Sequence, residues 1–161
     1  MTDQGAGHMG KTCRNCKRDL PEDQFEKFNK GGERAICNAC KSSARNKTYS
    51  ASYEHYLRRT CSKLKYSRKE THDWQLTPED LIELWEQQGG KCALSGVNMT
   101  HHVDGSGHKE FNASIDRINT DSGYCPQNIQ LVAYRINIMR HTLPLDMFWW
   151  WVKNIHECSI D

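Results

Sequence analysis

The sequence predicts a small α+β protein with three parts: an N-terminal metal-stapled module, a helical linker, and a C-terminal unit of two strands and a helix. Three observations carry this. Four cysteines stand in two Cys-x2-Cys pairs, Cys13/Cys16 and Cys37/Cys40. Between residues 41 and 69, nine Lys/Arg meet a single acid, Glu54, in a run with helical spacing. Ser114–Asn119 (SIDRIN) is a short apolar strand that ends on an acid; Gly123-Tyr124, a second apolar strand opening on Asn128, and a helical segment carrying Asn137 follow. With 161 residues, 37% apolar content and a mean hydropathy of −0.84, the cores are small and a metal staple is expected. No apolar run approaches a membrane span, and the start has no signal-peptide pattern. Eight cysteines without such a signal read as metal ligands and free thiols in a reducing compartment.

Taken in order, residues 1–10 (MTDQGAGHMG) have no periodicity and look like a tag remnant or a disordered leader. Residues 11–41 form the cysteine module. Each Cys-x2-Cys turn presents two thiolates, and two turns close a four-thiolate shell around one tetrahedral zinc; a redox dithiol is the alternative reading. Leu20, Phe25 and Phe28 are too few apolar groups to fold that module without the metal. Residues 42–72 read as an interrupted basic helix in which Tyr49, Tyr53, Tyr56, Leu57, Leu64 and Tyr66 recur among the cations. Such a stripe suits phosphate contact and stacking on a polyanion, and equally suits an amphipathic connector docked on the next domain.

The C-terminal domain spans 73–161. Thr77-Pro78-Glu79-Asp80 is a helix start, with Thr77 as N-cap and Pro78 at the first helical position, and Gly89-Gly90 is the stop. Leu81, Leu84, Trp85 and Gln88 give that helix a core-facing stripe. Lys91–Gly96 (KCALSG) is a knuckle with Ser95 where a second cysteine could stand, so Cys92 and Cys125 read as buried thiols, with a rebuilt second metal site as the alternative. Thr100–Asn112 is polar and Gly-rich, hence a loop or ribbon carrying His101, His102 and His108. Pro144–His156 is a helix in which Met147, Trp151 and Ile155 share a face, and the tryptophans are expected in the core.

Oxygen ligands brought together from Asp116 and Asn137 can hold one hard divalent cation. Together with the order and spacing of Asp116, Gly123-Tyr124, Asn128 and Asn137, this pattern resembles the HNH endonucleases of the ββα-metal fold, especially the small phage-type members, over roughly residues 92–155. The spacing of the cysteine pairs is similar to that of the zinc modules that precede many such domains. The resemblance implies a metal-dependent DNA endonuclease or nickase that hydrolyses phosphodiester bonds with Mg2+ or Mn2+ beside a structural zinc, double-stranded DNA as the partner, and the cytoplasm of a bacterial host if the chain is phage-encoded. It implies Asp116 and Asn137 as metal ligands, Asn128 as the tie that holds the loop between the strands, and Arg140 on a phosphate. In the linker, Arg45, Arg58, Arg59, Lys63 and Lys65 are the expected DNA contacts.

One position departs from the family pattern. Arg117 stands where a histidine usually follows the acid, and a guanidinium cannot take a proton from water. Three readings stay open. A neighbouring His101, His102 or His108 is the base, or the metal alone acidifies its water while Arg117 orients phosphate. In the third, the chain is a non-catalytic zinc-dependent DNA-binding accessory protein.

Overall fold

The computed structural model describes residues 10–26 and 35–159, so Phe28 and residues 1–9 lie outside the described residues. The chain divides into two compact units, Met1–Thr48 and Tyr49–Asp161. Its class is small α+β: among the described residues there are five helices and two two-stranded sheets, with a cysteine cluster near the N-terminus.

In the first unit, β1 (Gly10–Thr12) pairs antiparallel with β2 (Asp19–Pro21), Lys11 opposite Leu20. Gly10 therefore belongs to a strand and not to a structureless leader. The turn between the strands is the first knuckle. Cys13 N–H reaches Arg18 O at 2.9 Å, and Lys17 takes a positive φ of 60° to close it. The second pair straddles the start of helix α1 (Asn38–Ser50), with Cys37 just before it and Cys40 in its first turn. Phe25, Cys13 and Cys37 are the buried members of this core, with Leu20, Cys16 and Cys40 packed around them. So small an apolar set cannot hold the unit by burial alone.

The second unit opens on α2 (Tyr53–Arg68), separated from α1 by Ala51-Ser52. Ser52 caps it, its side chain accepting from His55 N–H. Tyr56, Leu57 and Cys61 form its buried face, and Tyr56 Oη donates to Ala113 O at 2.9 Å. Helix α3 (Pro78–Gln87) starts on a full capping box: Thr77 accepts from Asp80 N–H, and the Asp80 carboxylate accepts from Thr77 N–H. It ends at Gly89 and Gly90, with φ of 60° and 69°. Leu81 is fully buried, while Leu84 and Trp85 pack on the core; Trp85 stacks on Tyr53 with ring centroids 5.4 Å apart.

Strand β3 (Ala113–Arg117) pairs antiparallel with β4 (Ile129–Ala133), Ile115 opposite Leu131 and Asp116 opposite Gln130. Helix α4 (Tyr134–Arg140) follows β4 without a loop. Leu57, Leu81, Leu131 and Val132 have no exposed surface; at roughly 1.5–3 kcal/mol for each such side chain, they anchor the sheet to the paired helices α2 and α3. Gln88 carries a second tie. Its Nε2 donates to Leu131 O at 2.8 Å and its Oε1 accepts from Leu131 N–H at 2.9 Å, which occupies the outer edge of β4. Gly123 sits where a Cβ would meet Asp73 O at 2.6 Å, so the bridge between Trp74 and Tyr124 needs glycine there.

Helix α5 (Leu145–Cys158) corrects one expectation. Trp149, Trp150 and Trp151 are 45%, 52% and 48% exposed, and only Phe148 of that helix is buried. The tryptophans are not core residues, because α5 turns only the Leu145/Phe148/Val152 edge inward.

Candidate functional site

Two arrangements of chemistry-bearing side chains stand out, one in each unit. In the first, the sulfurs of Cys13, Cys16, Cys37 and Cys40 lie within 4.8 Å of one another. Cys13 Sγ is 3.9 Å from Cys40 Sγ, and Cys16 Sγ is 4.0 Å from Cys37 Sγ. A tetrahedron of Zn–S bonds near 2.3 Å has edges of about 3.8 Å, so the four thiols fit zinc in size and in softness. Their surroundings divide: Cys13 and Cys16 are drawn toward thiolate, whereas Cys40, despite a lowering hydrogen bond from Asn15, is pushed up to about 11 by Cys37 and burial. The Cys37 N–H, and after it the Cys16 N–H, lower the Cys13 thiol to about 6, and the Arg18 guanidinium pulls Cys16 down. Among the described residues this is the one cluster of three or more His, Cys, Asp or Glu with ligand atoms so placed. Cys92 is buried and Cys125 half-buried, both as free thiols.

The second arrangement is built on the β3–β4–α4 unit. Ser114 and Asp116 alternate onto one face of β3, and Asn137 and Arg140, one turn apart on α4, meet them there. Asn137 Nδ2 donates to Ser114 Oγ at 2.7 Å and to Ile115 O at 3.2 Å, which leaves its Oδ1 without a donor among the described residues. Asn128 spans the loop between the strands. It accepts from Asn119 N–H at 2.9 Å and donates to Asn119 O at 3.0 Å and Gly123 O at 2.8 Å. Asp116 is 4% exposed. Its Oδ1 accepts from Arg140 Nη1 at 2.5 Å and its Oδ2 from the cross-strand Gln130 Nε2 at 2.8 Å.

Arg140 departs from the expected phosphate contact. Its side chain has no exposed surface, and its guanidinium also donates to Arg117 O at 2.7 Å and Ile118 O at 3.0 Å. It therefore clamps the end of β3 and cannot reach a ligand. Nothing in the spacing distinguishes a buried arginine from a surface one; the signal lies in Asp116, an acid on a buried strand that needs a cation.

A cleft of about 870 Å³ runs between α2 and this unit. Arg59, Lys63 and Arg68 from α2 line it, with Lys109, Arg117, His102, Asp116, Asn137 and His141. The one acid on the cleft is paired with Arg140, so the lining is strongly positive. Arg117 lies over the Tyr124 ring at 5.1 Å and donates to Ser122 O at 2.8 Å, and Lys109 lies over Tyr134 at 4.5 Å. His141 went unnoticed in the sequence. It ends α4 with a φ of 52°, a conformation rare outside glycine, and its position four residues after Asn137 was the available signal.

Of the histidines expected near the site, His102 lines the cleft, whereas His101 packs edge-on to Trp85 and His108 is exposed on the loop. Burial, and then the neighbouring His102, lower the His101 pKa. The linker cations divide. Arg59 and Lys63 face the cleft; Arg58 is paired with Glu79 at 2.6 Å, Lys65 is exposed outside the cleft lining, and Arg45 is an exposed residue of the first unit.

Whether these residues suit a hard divalent cation follows from their donors. Asn137 offers a free amide oxygen, and each Asp116 oxygen, having accepted one hydrogen bond, keeps a lone pair. Two oxygen ligands with open positions suit an ion that retains water, as Mg2+ does.

Among the described residues, no helix is long and apolar enough to cross a membrane. No family model and no curated protein matches this chain. Among solved structures, it is similar to the HNH restriction endonuclease PacI, described as rare-cutting and as perturbing DNA. The identity is 18%, over 92% of this chain and 94% of that one, with a TM-score of 0.40; at that score the likeness is no basis for assigning an activity.

Proposed function

We propose that this chain is a metal-dependent endonuclease of HNH type that hydrolyses phosphodiester bonds in double-stranded DNA. The observation that supports it best is the cleft itself: five Lys/Arg side chains surround a carboxylate and an amide oxygen, with two imidazoles beside them. Arg59, Lys63, Arg68 and Lys109 hold phosphates by charge, and the Arg117 fork orients the scissile one. His102 or His141 takes the proton from the attacking water, since both line the cleft and imidazole titrates near neutrality. Asp116 and Asn137 would hold Mg2+ or Mn2+, which stabilises charge on the leaving oxygen. Arg140 and Gln130 fix the Asp116 carboxylate, and Asn128 fixes the loop that follows Arg117. In the first unit, the four thiolates hold a structural zinc.

A second reading has its own observation. The Asp116–Arg140 pair is buried and short, which suits a carboxylate kept for structure and hence a DNA-binding accessory protein that does not cut.

Incubation of the protein with supercoiled plasmid and Mg2+ or Mn2+ separates the two. Conversion to nicked or linear DNA is expected. Chelator should abolish it and Mg2+ should restore it, with zinc content measured in each sample so that loss of the first unit is not mistaken for loss of the cation. If the plasmid binds but stays supercoiled with every divalent metal, the nuclease reading fails and the accessory reading stands.

A further inference from the structure

Helix α5 presents an apolar stripe that the rest of the described chain leaves uncovered. Met147, Trp150, Trp151 and Ile155 follow one another at helical spacing along one side, and each is between 43% and 63% exposed. None of them belongs to the core cluster of the second unit. The stripe contains no charge. Asp146, Lys153 and Glu157 flank it on the Trp150 side, four residues before and three and seven residues after that tryptophan, and Lys153 and Glu157 pair with each other one turn apart. Its one polar side chain, Asn154, turns back to donate to Trp150 O at 2.7 Å.

We propose that this face of α5 pairs with the same face of a second copy of this chain, related by a two-fold axis. Aromatic side chains carry on the order of 200 Å² each, so half-exposed Trp150 and Trp151 with Met147 and Ile155 offer an apolar patch on the order of 500 Å². Two such patches remove on the order of 1,000 Å² from water, the area at which specific association begins. The stripe meets its own copy with the exposed Lys153–Glu157 pair and Asp146 at its rim, where water still reaches them. Other occupants fit less well. Nucleic acid needs cations, and the stripe has none. A membrane-surface helix carries a basic polar face, whereas the polar side of α5 has two acids and one lysine.

Sedimentation of the full zinc-loaded chain over a concentration series tests this. A species of twice the 18.7 kDa chain mass is expected, with tryptophan emission moving to the red as it dissociates on dilution. Trp151→Glu and, separately, Ile155→Arg should each weaken self-association by at least about 30-fold, the loss expected at the centre of an interface. Ile155 is 63% exposed, so Ile155→Arg decides the matter even if Trp151→Glu fails to fold. A monomer at every concentration, or a dimer untouched by Ile155→Arg, overturns the proposal; so does a monomer that binds lipid vesicles through α5.

Discussion

Arg140 shows how one residue sets the limits of the site. A guanidinium with no exposed surface, donating to Asp116 and to two carbonyls at the end of β3, has no water to fall back on if its partner is lost. Arg140→Met should therefore destabilise the second unit by about 3–5 kcal/mol, because Asp116 is left charged and buried. Adding Asp116→Leu to it should recover most of that loss, as apolar pairs of similar volume often do; urea unfolding of the two variants checks both. Activity gives a second handle on the same residues. Asp116→Ala should abolish plasmid cleavage but also strands the buried Arg140 guanidinium and costs stability. Asp116→Asn, which keeps an acceptor for Arg140, should lose cleavage with DNA affinity nearly intact, whereas Arg117→His should keep or raise cleavage, since imidazole can accept the proton that guanidinium cannot. Cleavage by Asp116→Ala at the parent rate would remove the carboxylate from the site. His101 bears on pH. Its folded pKa lies below the ordinary 6.5 because of burial and His102, so the unfolded chain binds the extra proton first. The stability it contributes is complete above pH 6.5 and is lost as pH falls through the lower folded value. His101→Gln should flatten that acid-side decline in thermal unfolding curves measured between neutral and mildly acid pH. At this scale the sequence was partly legible. Asp116, Asn128 and Asn137 stand out by spacing, but Arg140 looks the same whether it meets phosphate or carboxylate, and His141 is visible only once α4 ends beneath the cleft cations.

Among the elements, the cysteine module was the most legible and the last helix the least. A Cys-x2-Cys turn has few ways to present two sulfurs, so each pair was legible; the 3.9 and 4.0 Å spacings run across the two turns, Cys13 to Cys40 and Cys16 to Cys37, and depend on the turns meeting. Stripping zinc should melt the first unit while the helical and sheet signals of the second persist, because among the described residues the apolar core of the first is Phe25 and the cysteines themselves with Leu20. Circular dichroism with metal titration reads this directly; a first unit that stays folded without zinc would show that its core is larger than these residues suggest. The Thr77 cap was equally legible, since a capping box is local chemistry. Helix α5 was not. Its period gives the right faces, but period alone does not say which face has a neighbour, and Trp149–Trp151 fill three directions at once.

For the second unit as a whole, the α2 part of the basic stripe becomes one wall of a cleft whose other wall is the β3–β4–α4 unit. Only part of the stripe faces inward, so the salt dependence of DNA binding should track position and not count. Changing Arg59, Lys63, Arg68 and Lys109 together to Gln should reduce the slope of log K against log salt by about 3.6. The same treatment of Arg58 and Lys65, which lie outside the cleft lining, should leave it almost unchanged. Equal effects from the two sets would place DNA along the outside of the linker. The cleft could not be read from the chain, because its walls are more than forty residues apart and their meeting depends on Leu57, Leu81 and Leu131 packing together.

The side-chain amide of Gln88 on Leu131 has a consequence for the protein in a crowded solution. A two-stranded sheet ordinarily offers a bare rim of N–H and C=O groups to which any stray extended segment can add. Here the rim of β4 at Leu131 is already satisfied: Gln88 acts as a false neighbour strand one residue long, and Ala93 N–H fills the remaining acceptor direction at 3.0 Å. A single glutamine at the end of a helix thus closes the rim of β4 at Leu131 to a stray strand, and Gln88→Ala should be felt as precipitation on storage well before it is felt in the chemistry of the cleft.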